Sequence, residues 1–112
     1  MRLLVVDADL LALERIRSQA EKSGHEVRIA TTARLAAALT ADQIDLVVID
    51  LDRGGEDVID ALVEARAAGE MPDRVVGFYS HVAPERAERA EGAGCKAVPR
   101  GRFYRTLDEL LG

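Results

Sequence analysis

Short apolar runs, separated by stretches of helical spacing, constrain this chain more than any other feature. Leu3-Leu4-Val5-Val6, Leu46-Val47-Val48-Ile49 and Val75-Val76-Gly77-Phe78-Tyr79 are of strand length and almost free of polar side chains. A strand that is apolar on both faces must be covered on both faces, which is the signature of a parallel sheet between two helical layers. Val27-Arg28-Ile29-Ala30 is more mixed, as an edge strand would be, and Ala97-Val98 is a weaker fifth candidate.

The segments between these runs have the period of helices. Leu10, Leu13, Ile16 and Ala20 share one face of a first helix, with Gly24 as its stop. Thr31 or Thr32 can cap a second helix that buries Leu35 and Leu39. Asp57 can cap a third that carries Ile59, Leu62, Val63 and Ala65 and ends near Gly69. Pro84 suits the first turn of a fourth, over residues 85–91, stopping at Gly92. Phe103, Leu107, Leu110 and Leu111 form the face of a fifth. The alternation predicts an α/β protein with a doubly wound, five-stranded parallel sheet and right-handed crossovers. A length of 112 residues suits one domain over 1–112, with none left for a second.

Composition narrows the function classes. A net charge of −5 argues against nucleic acid, which demands a basic face. Cys95 is the lone cysteine, so no internal disulfide can form, and a reducing cytoplasm is expected. No apolar run approaches the ~20 residues of a membrane span, so no membrane partner is expected. Asp7 interrupts the first apolar run after four residues, so the N-terminus does not read as a signal peptide.

In an open parallel sheet the ligand site lies beyond the carboxyl ends of the strands, where strand order reverses. Those ends carry Asp7 with Asp9, Asp50 with Asp52, Ser80 with His81, and Arg100. Adjacent carboxylates form a hard-oxygen site suited to hydrated Mg²⁺, which also offsets their mutual repulsion. A carboxylate can attack phosphorus to give an acyl phosphate. A hydroxyl and a guanidinium, here Ser80 and Arg100, can stabilise the phosphoryl oxygens. Asp9 is favoured as a cap for the first helix. Asp52 and Asp57 read as loop and cap residues, His25 and His81 as loop histidines, and Cys95 as a small buried filler.

The blocks "LLVVDAD", "DLVVIDLDRGGED", "VVGFYSH" and "GCKAVPRGRF" together resemble the receiver domain of two-component response regulators along the whole chain. The resemblance implies a flavodoxin-like (βα)5 fold and a stand-alone, atypical receiver in phosphorelay signalling that is not an enzyme. It implies Asp50 as phosphoacceptor, Ser80 as the hydroxyl, Arg100 in the lysine place, and Mg²⁺ on Asp7 and Asp50. A histidine kinase or a phosphotransfer protein would be the donor. The departures are Ala8 at the family's second acid, Arg53-Gly54 for Met-Pro, Arg100-Gly101 for Lys-Pro, and Ala97 near the aromatic switch position. They imply weak or absent Mg²⁺ binding and open a second reading, a phosphorylation-independent pseudo-receiver. "VVDADLL" also resembles the opening of haloacid dehalogenase-type phosphatases, but that pattern needs a later acid pair, a lysine and usually a cap insertion, and this short chain offers Arg100 where acids would be wanted. Output is expected as a protein contact or self-association on the face of the fourth helix, fifth strand and fifth helix. Phe103 and Tyr104 point about 100° apart, so one can bury while Tyr104, flanked by Arg102 and Arg105, reaches a partner; the other reading packs both aromatics in the core.

Overall fold

Side chains alternate across each strand, and that alternation divides the core into two layers. The computed structural model describes residues 1–81 and 84–112. Strands β1 (Arg2–Val6), β2 (Glu26–Ala30), β3 (Leu46–Asp50), β4 (Arg74–Tyr79) and β5 (Lys96–Pro99) form one parallel sheet in the order β2-β1-β3-β4-β5. The helices are α1 (Leu10–Lys22), α2 (Leu35–Ala41) after a 3-10 turn Thr32–Arg34, α3 (Leu51–Ala67), α4 (Pro84–Gly92), α5 (Arg100–Arg105) and α6 (Leu107–Leu111). Leu3, Val5, Val48, Val76 and Phe78 pack with Ala12, Ile16, Phe103, Leu107 and Leu111 on the α1, α5 and α6 side. Leu4, Val6, Val47, Ile49 and Val75 pack with Leu35, Val58, Ile59, Leu62 and Ala90 on the α2, α3 and α4 side. The doubly wound α/β architecture read from the sequence is the one observed.

Several local expectations are corrected. Leu10 and Val63 are exposed, at 72% and 50%, because the buried stripes run through Ala12, Ile16 and Ala20 of α1 and through Val58, Leu62 and Ala65 of α3. Thr31 makes no side-chain cap, and Thr32 donates its hydroxyl to Asp7 instead. Asp57 lies inside α3, whose first turn is capped by Asp50; Gly55, at φ 57° and ψ −144°, breaks the helical path between the two. Only a residue without Cβ adopts that conformation readily. The fifth helix is two short pieces, α5 and α6, divided at Thr106, and α5 leaves β5 without a loop.

Cys95 is buried, and its thiol is pushed up to about 12, chiefly by burial and further by Glu91, so it is a protonated filler. Gly77 lies against it. A Cβ at Gly77 would come within 2.8 Å of the Leu51 side chain and 2.9 Å of the Cys95 sulfur. Gly77→Ala is therefore expected to cost about 1–3 kcal/mol by overpacking. Urea denaturation should show the loss, and Cys95→Ala in the same chain should return part of it.

Candidate functional site

The strand register assembles the rim. Asp50 lies opposite Phe78, and Phe78 opposite Val98. Asp50 is the buried charged residue among those described, with no exposed surface. Its Oδ1 accepts the backbone N–H groups of Asp52 at 3.0 Å and Arg53 at 3.2 Å, which fixes the first turn of α3. Its Oδ2 accepts Nη2 of Arg100 at 3.2 Å.

Arg100 stands on the first residue of α5 and gathers the remaining rim groups. Its Nη1 donates to Asp9 Oδ2 at 3.0 Å and to the Tyr104 hydroxyl at 3.3 Å, and its Nε donates to Ser80 Oγ at 3.0 Å. Nη2 also lies 3.5 Å from Asp52 Oδ2. The guanidinium carbon sits 4.7 Å from the centre of the Phe78 ring, so the cation has an aromatic floor. Three carboxylates therefore share one guanidinium. Each has further donors that offset their crowding: Asp9 caps α1 through the Ala12 N–H at 2.8 Å, and Asp52 accepts the Ser80 N–H at 2.7 Å and the His81 N–H at 3.2 Å. Partial burial alone would lower the Arg100 pKa, but the Tyr104 hydroxyl and Asp50 carry it above the ordinary arginine value. The group is a permanent cation.

Asp7 faces elsewhere. Its backbone is left-handed, with φ 53°, a conformation aspartate tolerates better than most residues. That turn breaks the strand alternation. The carboxylate accepts the Thr32 N–H at 2.9 Å and the Thr32 hydroxyl, tying the end of β1 to the start of the 3-10 turn. Ala8 supplies no side-chain oxygen. The residues present thus do not fit a hydrated Mg²⁺, because the acid expected to share it is bound to Thr32 and the cation among the others is Arg100. Among the described residues, no three His, Cys, Asp or Glu side chains come together as a metal-ligand group.

Of the residues singled out from the sequence, Asp50, Ser80 and Arg100 meet, while Asp7 bonds to Thr32 on the β2 side. Asp9 is both cap and pocket ligand for the guanidinium. Asp52, read as a loop residue, is a wall of the pocket; its position two residues after Asp50, matching Asp9 after Asp7, was the available signal. Phe103 is buried and Tyr104 half-buried. The Tyr104 ring carries the Arg15 guanidinium at 4.4 Å and its hydroxyl meets Arg100, while Arg102 and Arg105 are exposed. No helix among the described residues is long and apolar enough to cross a membrane.

Comparison with solved structures places this architecture in a known class. A response regulator from Hahella chejuensis matches with a TM-score of 0.79 at 17% identity, over 98% of this chain and 91% of that one. The chemotaxis protein CheY4 of Vibrio cholerae matches with 0.78 at 15% identity, over 98% and 94%. A response regulator from Thermotoga maritima matches with 0.76 at 21% identity, over 98% and 90%. The chain has the fold of response-regulator receiver domains, a CheY-like, flavodoxin-like sheet along nearly its whole length. No family model and no curated protein sequence matches it.

Proposed function

We propose that residues 1–112 are one receiver-type signalling domain that acts through protein contacts and holds its acidic pocket in a single state through Arg100, without phosphoryl transfer to Asp50. The observation that carries this reading is that both oxygens of the buried Asp50 are engaged, one by two amides and the other by the guanidinium. A carboxylate that attacks phosphorus needs a free oxygen in line with the bond being broken. Here a phosphoryl donor would first have to displace Arg100. The receiver fold itself supports a role in signal transduction through protein contacts, as a module and not as an enzyme. The output face fitting this reading is α4, β5 and α5, with Arg102, Tyr104 and Arg105 toward a protein partner or a second copy. A cytoplasmic site of action fits the lone buried thiol.

One observation favours a second reading, in which Asp50 accepts phosphoryl from a histidine kinase or phosphotransfer protein. Arg100 reaches both Ser80 Oγ and Asp50 Oδ2, at 3.0 Å and 3.2 Å, so a hydroxyl and a cation already stand beside the acceptor oxygen. Incubation with acetyl phosphate and MgCl₂, followed by reductive trapping and peptide mapping, separates the two. The wild-type protein is expected to take no acyl phosphate under conditions that label an active receiver. A label at Asp50, absent from Asp50→Asn, would establish the second reading.

A further inference from the structure

The pocket has three acids and one fixed cation, and that cation is covalently part of the chain. We infer that Arg100 is the resident counter-ion of the acidic pocket, in the role a bound divalent metal would otherwise fill, so that the fold neither needs nor takes up Mg²⁺. This deepens the receiver-type reading above and rests on it.

Asp9, Asp50 and Asp52 come from the loop before α1, the end of β3 and the first turn of α3, and all three meet the same guanidinium. Mg²⁺ requires oxygen ligands at about 2.1 Å in a nearly octahedral shell. To place those carboxylates around such an ion, Arg100 would have to leave all three. It would also lose Ser80, Tyr104 and its seat over Phe78. The departing guanidinium would remain tethered to the rim by α5, beside an ion of like charge. Arg100 and a carboxylate-bound metal therefore compete for one place. Arginine suits that place better than lysine, because its planar fork of donors can serve several acids at once.

A consequence is that the pocket should acquire a need for a metal only when Arg100 is removed. The measurement is thermal unfolding of the full chain with MgCl₂ from zero to about 20 mM, repeated with Arg100→Gln. Nuclear magnetic resonance with trace MnCl₂ runs beside it, since the ion broadens amides near its site. The wild-type midpoint is expected to move by less than about 1 °C, and that of Arg100→Gln to rise by roughly 5 °C as Mg²⁺ occupies the vacated acids. Mn²⁺ should broaden the amides of Asp9 and residues 50–53 in the variant alone. Equal Mg²⁺ shifts in the two proteins, or selective broadening around Asp50 in the wild type, would overturn the inference. So would a folded Arg100→Gln protein indifferent to both ions. Arg100→Met, which keeps contact with Phe78, serves if the glutamine variant does not fold, and the wild-type measurement decides by itself against the idea. Acyl phosphate on Asp50 in a metal-indifferent wild type would sink only the functional reading. Metal uptake by an unlabelled wild type would sink only this inference.

Discussion

Arg100→Ala is expected to destabilise the protein by about 2–4 kcal/mol when measured by urea denaturation in the presence of EDTA. Removing one partner of a buried ion pair leaves the other charge without compensation, and that penalty exceeds the net contribution of the intact pair. Asp50 has no exposed surface, and its Oδ2 would lose the guanidinium. Asp9 and Asp52 would lose the same cation and remain near each other. EDTA prevents a divalent ion from taking the vacated place. A double-mutant cycle identifies the cause: Asp50→Asn removes the buried charge, so the double variant should cost less than the sum of the singles by about 1–3 kcal/mol. Strict additivity would mean that Arg100 stabilises the fold through other contacts.

Phe78→Ala is expected to cost still more, about 3–5 kcal/mol, the range for truncating a buried aromatic. Phe78 is fully buried and stacks on Phe103 with ring centres 4.7 Å apart. It ties β4 to α5 from inside the core and also forms the floor beneath Arg100. Phe78→Leu separates these roles. It retains much of the buried volume, with a cost below about 1.5 kcal/mol expected, but it removes the ring face under the cation. If Phe78→Leu and Arg100→Ala are independent, the floor does not hold the guanidinium in place. Coupling between them would show that core packing and pocket electrostatics meet at this residue.

The sheet was legible because burial leaves a trace in composition. A run such as Leu46 to Ile49 cannot face water on either side, and the helical spacing between runs leaves few architectures. Asp50 was legible for the same reason, as the residue where the most apolar run stops. The failures share a different origin. An apolar residue at helical spacing is not thereby on the buried stripe, as Leu10 and Val63 show, because the phase of a helix is set by what it packs on. The sequence does not announce Asp52, because its partners, the amides of Ser80 and His81, lie far along the chain and meet it only through strand pairing. Asp7 faces Thr32 because of one positive backbone angle that residue type permits but does not announce. Arg100 could be anticipated as the pocket cation. Its reach to Asp9 as well as Asp50 could not, since that depends on α5 starting directly at the end of β5.

That direct start gives the rim a mechanical character. With no loop to absorb movement, Arg100 is anchored to a helix of six residues whose far end breaks at Thr106. Tyr104 stands one turn beyond Arg100 on the same face, joined to it by the hydroxyl contact. A helix this short is oriented by the charge contacts at its first residue. When the guanidinium is seated on Asp50, the helix is pinned and the Tyr104 ring is fixed beneath Arg15. Arg102 and Arg105, exposed on the same six-residue helix, are therefore held at the surface in the orientation that the rim contacts set.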